Sequence, residues 1–197
     1  MKSLYPLLSL CVFVFSVNAQ TQPPVPTTQP FGKIDKSDLE MTACDFEKDA
    51  NAEVLFDKGT VYFTPDYDLV YERHIRIKIF NDKGKDEGNI RVEYSGGDRS
   101  EFISNVQAET INLDNGAIAM TKVDKKQIYN QSVDKITTAL TFAFPDVKPG
   151  SVIEYKYSIT TENVADFPDW FFFRMIFLLV TANLTQAFPL CYTTKIW

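Results

Sequence analysis

Apolar and polar residues alternate with a period of two along much of this chain from Ala52 to Thr161. The cleanest run is Leu69–Phe80. Tyr71, Arg73, Ile75, Ile77 and Ile79 fall on one face, and Glu72, His74, Arg76 and Lys78 on the other. Such alternation marks a strand with one face on a core. Phe142–Tyr157, FAFPDVKPGSVIEYKY, repeats the pattern on both sides of a loop punctuated by Pro145, Pro149 and Gly150. Further strands are predicted at Asn89–Tyr94, Phe102–Leu113, Ala117–Val123, Gln127–Ser132, Ile136–Phe144 and Ser151–Thr161. Asp114-Asn115-Gly116 predicts a hairpin turn, because Asn and Gly tolerate positive φ. Asp57-Lys58-Gly59, between Glu53–Phe56 and Thr60–Phe63, reads as another. Ser37, three residues before Glu40, offers a capping box and predicts one short helix over Asp38–Ala43. The expected fold is all-β: an antiparallel β-sandwich with a short N-terminal helix.

The ends of the chain read differently. Lys2, the apolar run Leu4–Val17 and Val17-Asn18-Ala19 predict a cleaved signal peptide over residues 1–19. The run is too short to span a bilayer comfortably, and bulky Leu10 before Cys11 argues against a lipoprotein site. The chain is therefore expected to be exported, to the periplasm, the cell envelope or the medium, with no transmembrane span after cleavage. Gln20–Pro30 is rich in Pro, Thr and Gln, which predicts a disordered linker over residues 20–33. The sandwich is expected over 34–170.

Composition narrows the chemistry. A formal net charge of -6 argues against nucleic acid, which demands clustered Lys and Arg. Signal cleavage would leave Cys44 and Cys191, and a core-lodged or unpaired Cys44 is expected. His74 is the single histidine. A nucleophile needs a base within hydrogen-bond reach and an orienting carboxylate. His74 lies mid-strand between Glu72 and Arg76, where cross-strand polar packing is the better account. Cys44 sits beside Asp45 with no cation nearby in sequence to activate its thiol. One His and no spaced Cys cluster argue against zinc. Asp66, Asp68, Asp82 and Asp86 lack the periodicity of a calcium loop and read as turn formers. Most strand carboxylates are expected to face solvent, with no pair singled out for glycoside hydrolysis. No catalytic, cofactor-binding or metal-binding residue is assigned, and no cofactor is expected. Tyr62, Phe63, Tyr67, Tyr71, Tyr94, Tyr129, Tyr155, Tyr157 and Trp170 give the means to stack on a sugar or peptide, though most are expected in the core or in cross-strand pairs.

Several segments carry a resemblance: Ala52–Gly59, Arg73–Phe80 with Gly84, Ala108-Glu109-Thr110 leading to Asn115-Gly116, and Phe142–Tyr157 ending near Asp169-Trp170. Together the chain resembles the family of unknown function that precedes transglutaminase-like domains in secreted bacterial proteins. The resemblance implies an exported, non-catalytic β-sandwich module that supports or presents substrate to a downstream transglutaminase-like domain. It implies no catalytic residue in the module itself. The alternative is a cell-envelope glycan- or peptide-binding module. After Trp170 the chain departs from the family pattern and becomes an apolar block around Arg174. A one-base shift of reading frame beginning near Phe172 permits the family's landmarks in order, so residues 171–197 are expected to be an aberrant, out-of-frame tail. On that reading Cys191 is an accident of the shift and the protein is truncated.

Overall fold

The computed structural model describes residues 29–162 and two short strands, Thr185–Gln186 and Leu190–Tyr192. The expected signal peptide and most of the 171–197 segment lie outside the described residues. The elements run α1 (Lys36–Glu40), β1 (Ala52–Phe63), β2 (Leu69–Ile79), β3 (Asn89–Tyr94), β4 (Glu101–Asp114), β5 (Ala117–Lys122), β6 (Tyr129–Ser132), β7 (Thr138–Ala143) and β8 (Val152–Thr161), then β9 (Thr185–Gln186) and β10 (Leu190–Tyr192). They form a seven-stranded sheet in the order β10-β1-β2-β8-β4-β5, with β9 also on β1, and a three-stranded sheet in the order β3-β7-β6. Every pairing is antiparallel. The chain passes between the sheets four times, in the β2–β3, β3–β4, β5–β6 and β7–β8 connections.

The two sheets pack face to face as a sandwich. Ile75, Ile77 and Ile79 of β2 and Ile153, Tyr155 and Tyr157 of β8 meet Ile90 and Tyr94 of β3 and Leu140 and Phe142 of β7 in one apolar core. These are the apolar phases of the period-two pattern, so the inward face follows directly from the sequence. The outer face of the large sheet is covered as well. There α1 and its flanking segment place Leu39 and Ile34 against Ile111, Val152, Leu55 and Leu113 in a second, smaller apolar cluster.

The loop inside Phe142–Tyr157 joins the layers. Thr110 Oγ1 donates to the Pro145 carbonyl at 2.6 Å, and Asn112 Nδ2 donates to the Asp146 carbonyl at 3.1 Å. Gly150, at φ +91°, donates its N–H to the Ile79 carbonyl at 2.8 Å. At the start of the β2–β3 connection the Asn81 side chain caps a 3-10 helix, Asp82–Gly88, by accepting from the N–H groups of Lys83 and Gly84. A Cβ on Gly84 would stand 2.2 Å from the Asn51 carbonyl oxygen, so only glycine allows that backbone approach.

Three expectations are corrected. Asp57-Lys58-Gly59 is not a turn: β1 runs unbroken from Ala52 to Phe63, with these residues opposite Ile75, His74 and Arg73. Long pairing with β2 overrides the local turn chemistry, and the reversal comes at Thr64–Asp68, where Tyr67 takes φ +68°. The helix is Lys36–Glu40 rather than Asp38–Ala43. Its N-cap is Asp35, without a side-chain cap bond, so Ser37 forms no capping box. Residues 29–33, expected inside a disordered linker, instead lie on the outer face of the large sheet and hydrogen-bond to it. Among the strand carboxylates, Glu53, Glu109 and Glu154 are the buried exceptions.

Candidate functional site: a buried charged face

The even-numbered residues of β2 and β8 point away from the sandwich core, onto the face that residues 29–40 cross. The register sets His74 opposite Lys156, Arg76 opposite Glu154, and Lys78 opposite Val152. On the other side of β8, Glu109 of β4 stands opposite Glu154. On β1 a bulge between Val54 and Phe56 turns Leu55 and Phe56 to this same outer face. Phe56 meets His74 edge-on with ring centroids 4.8 Å apart and carries the Arg76 guanidinium over its face at 5.0 Å.

Glu154 is the centre of the arrangement and is wholly buried. Its Oε1 accepts from His74 Nε2 at 2.6 Å and from Arg76 Nη2 at 3.0 Å. Its Oε2 accepts from the backbone N–H of Gly32 at 3.2 Å. Arg76, 1% exposed, spreads its remaining donors over the covering segment. Nη2 reaches the Lys33 carbonyl at 2.5 Å and Nη1 the Gln29 side chain at 3.2 Å, with Asp38 at 3.7 Å. Gln29 in turn bonds Asp35. Lys78, also wholly buried, donates to the carbonyls of Leu39 and Gly150, both at 2.7 Å. Phe31 closes the top, with its ring 5.8 Å from that of His74 and Lys156 Nζ 5.4 Å from its centroid.

Burial dominates the electrostatics. It pushes the Lys78 ammonium down to about 8, against a smaller opposing pull from Asp38. Glu109 is pushed up, first by burial and then by the Glu154 charge beside it. Glu53 is pushed up by burial and by Asp45 and Asp38, and Asp38 by burial despite Arg76. Three buried polar atoms, Glu53 Oε2, Arg76 Nε and Glu109 Oε1, find no hydrogen-bond partner. Such orphaned atoms are costly and call for an explanation.

A histidine held by a buried carboxylate is the orienting half of a nucleophilic triad. Among the described residues no serine, threonine or cysteine side chain hydrogen-bonds His74. Cys44 is half of a disulfide, which corrects the expectation of an unpaired or merely core-lodged thiol and removes the thiolate that nucleophilic attack requires. Of the chain's other cysteines, the side chains of Cys11 and Cys191 are not among the described residues. Nor do any three His, Cys, Asp or Glu side chains among the described residues stand together in a way that could hold a metal ion. Asp82 pairs with Lys85 at 3.2 Å. A shallow polar groove lies apart from the charged cluster, between Asn51 and Asn81-Asp82-Lys83.

Among the candidate aromatics, Tyr71, Tyr94, Tyr155 and Tyr157 belong to the core. Tyr62, Phe63, Tyr67 and Tyr129 are exposed, and Trp170 lies outside the described residues. Phe102, which the sequence did not single out, is exposed too. The register sets Tyr62, Val70, Thr160 and Phe102 in one row across β1, β2, β8 and β4, so the two rings flank the outer face at the end remote from α1. The sequence reading also missed the charged face as a unit. Its signal was present as complementary charges at Arg76, Glu154 and Glu109, on strands whose register was not yet known.

The fold and this face define a two-sheet antiparallel sandwich whose larger sheet buries a charged outer surface under its own N-terminal segment. The chain belongs to the DUF3857 family, a domain of unknown function with a solved structure, whose family model matches residues 65–189. That match continues through 171–189, part of the segment expected to be out of frame. No curated protein matches the chain. A solved structure from Parabacteroides distasonis ATCC 8503, described as a "putative protease", aligns at 13% identity with a TM-score of 0.48. The alignment covers 57% of this chain and 23% of that one, so the chain spans less than a quarter of that protein's length.

Proposed function

We propose that this chain is a non-catalytic, exported module that supports a transglutaminase-like domain of the same polypeptide, or presents substrate to it. The observation that carries the reading is how the reactive groups are engaged. The one histidine and its carboxylate are built into a buried ion cluster that fastens the chain's own N-terminal segment, and Cys44 is tied up in a disulfide. A group locked in this way serves architecture. The matched family is one of unknown function and leaves the role open.

Two measurements test the proposal. The genomic DNA across Phe172 either encodes a transglutaminase-like domain in one of its frames or does not, and its absence removes the downstream partner. Purified chain is also assayed for peptide hydrolysis and transamidation. Activity that disappears with His74→Ala or Cys44→Ala would make the chain an enzyme and end the accessory reading.

The exposed rings of Tyr62, Phe63, Tyr67 and Phe102 favour a second reading, a module that binds cell-envelope glycan or peptide. Saturable binding to envelope polysaccharide, lost with Tyr62→Ala and Phe102→Ala together, would support it over the first.

A further inference from the structure

The segment from Gln29 to Glu40 is held on the large sheet by main-chain groups as well as by the side chains of Gln29, Phe31, Ile34, Asp38 and Leu39. Glu154 takes the Gly32 N–H, Arg76 takes the Lys33 carbonyl, and Lys78 takes the Leu39 carbonyl. These three sheet residues are wholly or almost wholly buried, and they grip groups that every peptide carries. Two further atoms on the same face, Glu109 Oε1 and Arg76 Nε, are buried without partners. The covering segment thus leaves part of the face's hydrogen-bonding capacity unused. It is also closely fitted at one point: Gly32 sits at φ +75°, and a Cβ there would stand 3.1 Å from Glu109 Oε1.

From this we infer that the outer face of the large sheet is a binding site for a peptide that turns at a small residue and ends in a short helical turn, occupied in cis by the chain's own residues 29–40. The covering segment acts as a tethered ligand, and a second peptide of the same turn-and-helix form competes for Glu154, Arg76 and Lys78 when it lifts. Tethering gives the resident segment a high effective concentration, so the site is filled at rest. Main-chain groups supply the grip on Glu154, Arg76 and Lys78, apolar anchors like Ile34 and Leu39 supply packing, and one small residue is required beside Glu109. The inference holds whether or not a downstream domain exists, since it concerns only this face and its cover.

The test uses the full chain with its disulfide intact and a labelled synthetic peptide of residues 29–41. Hydrogen exchange read by mass spectrometry is expected to show the 31–41 amides exchanging at least about tenfold faster than those of β2 and β8, as a sub-global opening. Equal protection of cover and sheet overturns the inference. Saturating peptide should speed exchange of the chain's own cover while leaving β2 and β8 unchanged; no change overturns it. Gly32→Ala, strained by its positive φ, is expected to bind the peptide roughly tenfold more tightly than wild type because the competitor in cis is weakened. A peptide N-methylated at the glycine corresponding to Gly32 lacks the hydrogen that Glu154 accepts and should bind about tenfold more weakly, a difference of roughly 1.4 kcal/mol. Equal binding of the methylated peptide would show a purely apolar contact and refute main-chain recognition. If Gly32→Ala does not fold, the exchange and methylation measurements on wild-type chain still decide the matter.

Discussion

Glu109 and Glu154 face each other across β4 and β8, both buried, and the same substitution at each is expected to move stability in opposite directions. Glu154→Gln keeps the shape but removes the charge that His74 and Arg76 share. Among the described residues Arg76, 1% exposed, then keeps Asp38, at 3.7 Å, as its ion-pair partner, with Glu109 a weaker charge nearby. Breaking a buried ion pair from one side costs about 3–5 kcal/mol, so a loss of roughly 3 kcal/mol is expected. Glu109→Gln removes a charge that makes no ion pair among the described residues, leaves one oxygen unbonded and sits against a like charge, with burial and Glu154 outweighing the pull of Lys122 and Arg76. Relief of the cross-strand repulsion and of part of the desolvation cost should stabilise the fold by about 1 kcal/mol at pH 7.

For a chain of this size those changes correspond to melting shifts of roughly -6 to -12 °C and +2 to +4 °C. Urea unfolding followed by far-UV circular dichroism, with the disulfide intact, gives both values. The pH dependence sharpens the test. Burial raises the Glu109 pKa in the folded state, so the folded state holds the proton more tightly than the unfolded one. Its contribution is therefore most favourable below the ordinary value of 4.5 and is lost as pH rises through the folded value. The advantage of Glu109→Gln should accordingly shrink on acidification toward pH 4.5. A Glu109→Gln protein less stable than wild type by 1 kcal/mol or more, or a neutral Glu154→Gln, would refute this account of the face.

Other outcomes follow from the packing. Gly84→Ala should cost about 1–3 kcal/mol, because the new Cβ meets the Asn51 backbone carbonyl and not a side chain that can move; thermal unfolding within 1 °C of wild type would contradict that geometry. The Lys78 amine should titrate near 8 by heteronuclear NMR, and a value near 10.5 would show that it is solvated. Because the folded state binds fewer protons than the unfolded one between those values, the Lys78 contribution to stability rises with pH across that window. Arg73→Lys replaces a forked pair, with Asp57 at 2.9 and 2.5 Å, by a single-point contact at a half-buried site. A loss of about 1 kcal/mol in urea denaturation is expected, and a double-mutant cycle with Asp57→Asn that shows no coupling would exclude the pair as its source.

The sandwich core could be read from the chain because period-two alternation is a local property. Ile75, Ile77 and Ile79 announce their face without knowledge of any partner. Asn115-Gly116 was equally legible, and both residues take positive φ in the hairpin they form. The same alternation misled on the opposite face. Glu154, Arg76 and Lys78 follow the polar phase, which ordinarily means solvent, and they are buried only because residues 29–40 fold back over them. That cover is a tertiary event with no periodic signature, and its first residues belong to a Pro- and Gln-rich stretch that resembles a tether. Asp57-Lys58-Gly59 failed for a related reason. Turn propensity is a local preference of a few tenths to about 1 kcal/mol, and an eleven-residue pairing with β2 outweighs it. The disulfide at Cys44 was hidden because cysteine counts carry no geometry.

The strand order bears on how this chain is made as well as how it is held. β8 is the shared neighbour of β2 and β4, yet it is the last of the three to be synthesised. Until residues 152–161 emerge, β2 and β4 each wait with a bare hydrogen-bonding edge and an apolar face turned to water. An unfinished chain is therefore a pair of open templates on which a neighbouring chain can add a strand. The large sheet cannot close before Thr161 has been added, and whatever keeps nascent copies apart until then determines how much of this protein reaches its folded form.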